Sequence, residues 1–276
     1  MYSFCIKSNN QNLLNDIYTS LRNLNIDNSV YKKNRFKLYH NIIIHIDEKN
    51  TNIFVKHFTN ILTNCIIKYY ESKLINRIIN LDYFYFTNED KKIIFDEYKL
   101  IKAKKIYDLK YVKKIIKPAI IEYLNSNKSL IISGFVNFRL SNYLKYLEKI
   151  VAESVNQYIV DKEYINFVNL LRNYINSKKT NNLKVNLINI SSNGILLSDN
   201  GEIIKLDSFN SAYISDISFS QNDYILNTLV GLLPSKIKIH LVSPKDQFIK
   251  TIEMIFTNKV QYCEGCKLCK AFKLFH

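Results

Sequence analysis

A chain of 276 residues, 47% apolar and 23% charged, is long enough for one large or two small domains and ordinary enough in composition to bury a core. Five glycines, three prolines and five cysteines exclude collagen-like, low-complexity and disulfide-scaffold designs, and leave little material for Gly-rich phosphate cradles. The net charge of +15 suggests a nucleic acid or an anionic membrane surface as partner, although abundant Ile, Asn, Lys, Tyr and Phe point to AT-rich coding and make the distribution of charge more telling than its sum.

Residues 2–7 alternate, with Tyr2, Phe4 and Ile6 on one side, as a half-buried strand does. Leu13, Leu14, Ile17, Leu21 and Leu24 follow helical spacing, and residues 36–46 read as strand again, giving a small β-α-β start. From about residue 50 the period becomes 3.6, with Phe54, Phe58, Ile61, Leu62, Cys65 and Tyr69 on one stripe of a long helix. Residues 88–178 keep helical patterning with Pro118 and Gly134 as the breakers, which predicts a helical middle layer of four or more helices. Within it, Ser141 caps a helix carrying Tyr143, Leu144, Leu147, Ile150 and Val151. A second helix is expected from Lys162, with Tyr164, Phe167, Val168 and Leu171 inward, the two forming an antiparallel hairpin.

The polar run 177–182 marks a boundary between residues 1–182 and 183–276. Beyond it, Asn193-Gly194 and Asn200-Gly201 separate three short runs (183–190, 195–198, 202–206), the signature of a tight three-strand meander. A helix at 221–232, a strand at 236–241, a helix capped by Ser243-Pro244 and running to about 257, and a strand at 260–263 complete a C-terminal mixed sheet. The fold class is therefore α+β, and the first and last strands can share one sheet. No apolar run reaches eighteen residues and the N-terminus lacks signal-peptide character, so a reducing cytoplasmic location with free or metal-bound thiols is expected.

The sharpest chemical feature is Cys263-Glu-Gly-Cys266-Lys-Leu-Cys269. Two-residue gaps let neighbouring thiolates converge on one ion, and Gly265 eases the turn this requires. Tetrahedral zinc needs a fourth ligand, for which Cys5, His240 and His276 are the candidates. An iron–sulfur cluster, a C-x-x-C redox pair at Cys266 and Cys269, and ordinary reduced cysteines are the alternatives. The second feature is a basic stripe of Lys102, Lys104, Lys105, Lys110, Lys113, Lys114 and Lys117. On a helix, Lys110, Lys113, Lys114 and Lys117 share a face opposite Leu109, Val112 and Ile116. Such a face suits phosphates of nucleic acid or lipid headgroups, or is simply solvated. Tyr83-Phe-Tyr-Phe86 reads as an aromatic corner of the core. The histidines form no constellation, and no nucleotide-binding, hydrolase or kinase motif is present, so an enzyme is the less favoured class.

Gly134-Phe-Val-Asn-Phe-Arg-Leu140 followed by Tyr143, Asp161-Lys-Glu-Tyr164 with Phe167 and Leu171, and the terminal cysteine cluster together resemble the YtxC family of sporulation-associated proteins. The resemblance covers residues from about 130 to the end. It implies a sporulation-associated factor of endospore-forming bacteria and supplies no catalytic residues. Within the shared segment Gly134 is expected to start a turn, Phe135 and Phe138 to pack, and Arg139 to bind a carboxylate such as Glu163 or an anionic ligand. The expectation is thus a non-enzymatic binding or structural factor with an unknown protein partner and a cysteine metal site, with a basic-helix binder or a thiol redox protein as alternatives.

Overall fold

The computed structural model describes residues 2–36, 39–104, 107–190, 193–205 and 220–274. Its chain divides into two compact units, Met1–Val160 and Asp161–His276. The division falls inside one helix, upstream of the polar run at 177–182 where the second sheet begins.

The first unit starts as alternation dictates. Strand β1 (Tyr2–Ser8) buries Phe4, Ile6 and Ser8, and its antiparallel neighbour β3 (Tyr39–Ile46) buries Ile42, Ile44 and Ile46 on the same side, with Phe4 opposite Ile44 and Ile6 opposite Ile42. Helix α1 (Gln11–Arg22) covers this side with Leu13, Leu14, Ile17 and Leu21, and Asn10 caps it by accepting the Leu13 N–H at 3.1 Å. The sheet holds two further strands, in the order β2-β3-β1-β4: β2 (Val30–Phe36), and β4 (Ser129–Ile131) parallel to β1. Strand β2 has no apolar alternation because it is an edge, and Lys32, Lys33 and Arg35 there discourage further pairing.

Helix α2 (Thr51–Asp82) runs for 32 residues and buries Phe54, Phe58, Leu62, Cys65, Leu74 and Ile75 along one stripe. It is followed by α3 (Asn88–Ala103), whose Thr87 and Asp90 form a reciprocal capping box, by α4 (Leu109–Ser126) and by the short α5 (Ile132–Arg139). The expected helix pair at 141–178 is instead a single helix, α6 (Ser141–Ser177), since nothing between Val151 and Lys162 breaks helical geometry.

The second unit contains the C-terminal part of α6 and a sheet in the order β6-β5-β7-β8. Strands β5 (Asn181–Ile190) and β6 (Asn193–Ser198) are antiparallel, while β5 and β7 (Pro234–Leu241), and β7 and β8 (Val260–Tyr262), are parallel. Between them run α7 (Gln221–Leu232) and α8 (Gln247–Ile255). One face of this sheet carries Val185, Leu187, Leu196, Ile237 and Ile239, packed with Val168, Ile225, Leu229, Ile249 and Ile252.

Several local expectations change. The third meander strand is reduced to a bridge between Leu197 and Ile203. Asn193-Gly194 is not a turn but lies in β6, paired with Ile190 and Asn189. Gly194 is needed there because a Cβ would sit 2.6 Å from Ile225 Cδ1. Asn200-Gly201 does turn the chain, with Gly201 at φ +84°. Helix α8 is capped by Asp246, which accepts the Ile249 N–H at 2.9 Å, rather than by Ser243-Pro244. The first and last strands belong to separate sheets, and a helix the pattern did not announce, α9 (Lys267–Leu274), ends the described chain.

Candidate metal centre

Strand β7 places His240 on the sheet face opposite the main apolar packing, because Ile237 and Ile239 take the other side. Cys263 continues the ladder beyond β8, its N–H donating to Ile239 O at 2.9 Å. Gly265, at φ +113°, then reverses the chain, with its N–H 3.4 Å from Cys263 Sγ. Cys266 precedes α9 and its sulfur accepts backbone N–H groups of Cys269 and Leu268. Cys269 lies one turn into the helix and is buried. Strand end, glycine turn and helix start thus aim three thiols inward.

His240 Nδ1 lies 3.3 Å from Cys269 Sγ and 3.4 Å from Cys266 Sγ. The sulfurs of Cys266 and Cys269 are 3.9 Å apart and those of Cys263 and Cys269 3.8 Å, and all four donor atoms fall within 4.8 Å of one another. Bonded sulfurs would be about 2.05 Å apart, and all five cysteines are free. Sulfurs about 2.3 Å from one tetrahedral zinc sit about 3.8 Å from each other. The donor set therefore fits a single ion.

The imidazole is prepared for this. Its Nε2 is 3.1 Å from Asn186 Oδ1, and Asn186 Nδ2 donates to Ser198 O at 3.0 Å, which fixes the amide and makes Nε2 the protonated nitrogen. Burial, and then the nearby Lys238 ammonium, hold His240 below its ordinary pKa, so the ring is neutral with a free Nδ1 lone pair at pH 7. Burial pushes the Cys266 thiol up, but the N–H donors of Cys269 and Leu268 and its thiol neighbours outweigh this and leave it below the ordinary value. Burial raises Cys269.

The other sequence-nominated residues lie elsewhere. Cys5 is on β1, on the face of the first sheet away from its core, and takes no part in the donor group; His276 lies outside the described residues. On α4, Val112, Ile116, Ile120 and Leu124 are buried, Lys110 and Lys114 are exposed, and Lys113 and Lys117 are half-buried. Leu109 is exposed, not inward, because it starts the helix next to the capping Asp108. Lys102 ion-pairs with Glu71, Lys104 ends α3, and Lys105 lies outside the described residues. Gly134 sits inside α5 rather than at a turn. Phe135 is buried, but Phe138 is 83% exposed. Beside it Arg139 is exposed. Of the 83–86 aromatics, Phe84 and Tyr85 are exposed, because they form the tip of the α2–α3 turn. Phe167 is also exposed, while Val168 is buried.

Sequence reasoning missed Glu71. It is 1% exposed and accepts the hydroxyls of Tyr98 and Tyr143, each at 2.6 Å, with Tyr107 and the Lys102 ammonium as further donors. The signal was available, since Glu71 interrupts the apolar stripe three and four residues before Leu74 and Ile75.

Fold and site together define an α+β protein of two compact units, the second of which gathers a Cys3His group that can hold a metal ion. The chain belongs to the YtxC-like family, whose model matches residues 56–261. The match reaches further into the N-terminal half than the shared motifs suggest and ends before Cys263. Among curated proteins the chain is similar to "Uncharacterized protein YtxC" of Bacillus subtilis (strain 168), 25% identical over 131 residues, an alignment covering 47% of each chain. It thus spans about half the length of that relative. No solved structure matches. No helix among the described residues is long and apolar enough to cross a membrane.

Proposed function

We propose that Cys263, Cys266, Cys269 and His240 bind one zinc ion in a closed structural site, and that the protein is a non-enzymatic cytoplasmic factor of sporulation acting through a protein partner. The observation that carries the zinc reading is the convergence of four soft or borderline donors within 4.8 Å, with the histidine tautomer set for coordination. Four protein ligands leave no open position for substrate, so the ion's part is to fasten α9 to the sheet. A four-iron cube, in which each ligand binds a separate iron, needs donors spread more widely than these. The sporulation reading is supported by the resemblance of the 134–143 and 161–171 segments and by membership of the family.

Elemental analysis of anaerobically purified, untagged protein tests the site. About one zinc per chain, lost when Cys263, Cys266 and Cys269 are all changed to Ser, is expected. Absence of metal after reconstitution overturns the proposal, and several irons with visible absorbance replace it by an iron–sulfur protein. For the biological part, removing the gene from an endospore-forming host should lower the yield of heat-resistant spores; an unchanged yield overturns it.

A further inference from the structure

The sheet of the second unit has two unlike halves on the face that carries His240. Alternation places Ile188, Ile190, Leu197 and His240 there together, and α9 covers this half with Leu268 and Phe272. On the remaining half of the same face the register sets Lys184 directly opposite Lys236, and Lys238 opposite both Asn186 and Gln261. Lys184, Lys238 and Gln261 are exposed, and Lys236 and Asn186 are half-buried. Neighbouring strands are about 4.8 Å apart, and residues two apart along a strand about 6.6 Å, so three ammonium groups stand on a small flat area.

Like charges directly opposite one another destabilise a sheet, and nothing among the described residues neutralises these. Among the described residues, Asp199 and Glu202 in the hairpin turn after β6 and Glu264 after β8 are exposed, and no ion pair joins any of them to the lysines. The positive surface continues onto α9, where Lys267 and Lys270 are exposed. Amide groups flank the lysines, and Ile203 at the sheet edge is the one strongly exposed apolar side chain on this face among the described residues.

We infer that this half-face, which no described helix covers, built from Lys184, Lys236, Lys238 and Gln261, docks the sugar–phosphate backbone of a nucleic acid. The cations meet phosphates, and the exposed Gln261 amide can donate to phosphate or sugar oxygens and accept from 2′-hydroxyls. A bilayer is the poorer fit, because three lysines add only a small attraction each at an anionic surface and Ile203 alone offers little apolar area to insert beside them. The inference stands on β5 and β7 and does not require the metal.

The test uses the full metal-loaded chain with labelled single-stranded RNA, single-stranded DNA and duplex DNA of about 20 nucleotides, read by fluorescence anisotropy across a salt series. Log Kd should vary linearly with log salt, and each of Lys184→Ala, Lys236→Ala and Lys238→Ala should reduce the slope by roughly 0.7–0.9. The triple change of these lysines to Glu should weaken binding at least tenfold, with circular dichroism and metal content unchanged. The triple change Lys110→Glu, Lys114→Glu and Lys117→Glu on α4, which alters net charge by the same amount, should leave the slope as it is. Equal loss in the α4 variant, no effect of the triple variant, or lysine-dependent binding to anionic vesicles with none to nucleic acid would each overturn the inference. The three nucleic acids separate RNA from DNA and single strands from duplex.

Discussion

Asn186 holds His240 at 3.1 Å from the side away from the thiols, and it does so with an amide whose other end is fixed on Ser198 O at 3.0 Å. The relationship decides which imidazole nitrogen faces the cysteines. Replacing Asn186 by Leu removes the acceptor, leaves the Nε2 proton without a partner and frees the ring to turn. Metal affinity, measured by competition with a chelating dye, is expected to fall about 10–100-fold. Asn186→Asp keeps an acceptor toward Nε2 and should recover most of the loss. Equal affinities in all three proteins would show that Asn186 does not orient the ligand.

Withdrawal of the metal should loosen α9 before anything else in the second unit. The helix has eight residues, too few to persist alone in water, and the small apolar cluster beneath it gains only Leu268 and Phe272 from it. Hydrogen exchange after chelation is expected to rise in residues 263–274 and in the strand residues around Ile188 and Leu197. Protection at Ile237, Ile239 and Ile252, in the larger core on the other face, should persist. Uniform loss of protection would mean that the site supports the whole unit rather than one helix.

The position of Gly194 sets a tight limit on the contact between β6 and α7. A Cβ would meet Ile225 Cδ1 at 2.6 Å and Leu187 Cδ1 at 3.3 Å, and both partners are fully buried, so neither has room to move aside. Gly194→Ala is expected to destabilise the second unit by about 1–3 kcal/mol through overpacking, seen as a lower denaturant midpoint with metal bound. Gly201→Ala tests a different cause. That site has open space but φ +84°, so its cost is backbone strain alone.

The same two glycines show how far the sequence could be read. Both follow asparagine, and an Asn-Gly pair signals a hairpin; at Gly201 backbone conformation is the reason for glycine, whereas at Gly194 the approach of α7, distant in the chain, is. Strands β1 and β3 and helix α2 were legible because their own periodicity records which side is buried. Edge strand β2 and the three-residue β4 were not, since an exposed edge carries no alternation and so short a strand has no period. At the site, the cysteine spacing announced three donors directly, and His240 stood among three named candidates. What singles it out, the parallel pairing of β7 with β8 that carries Cys263 past Ile239, is a long-range fact. Glu71 was hidden for a related reason, as its donors lie on Tyr98, Tyr107 and Tyr143, scattered over the following helices and turn.

Glu71 governs how the first unit responds to acid. Burial pushes its carboxyl up, but the Lys102 ammonium and the hydroxyls of Tyr107, Tyr143 and Tyr98 outweigh burial and hold it below the ordinary value. A carboxylate whose folded pKa is depressed contributes stability that is fully present above the unfolded value, about 4.3, and is lost as pH falls through the lower folded value. The first unit should therefore lose stability progressively below about pH 4. Glu71→Gln places an amide NH2 among hydroxyl donors and leaves the partly exposed Lys102 without its partner, and is expected to destabilise by about 1–3 kcal/mol at pH 7. Because the variant has no carboxyl to protonate, its remaining stability should depend less on pH between about 3 and 5. Tyr143→Phe removes one of four donors and should cost about 1–3 kcal/mol while preserving the acid transition. Denaturant titrations at pH 7 and pH 3.5 decide the matter. An unaltered pH dependence in Glu71→Gln would assign acid sensitivity to other carboxylates, such as Asp16, which Lys68 and Tyr69 hold below its ordinary value from the surface.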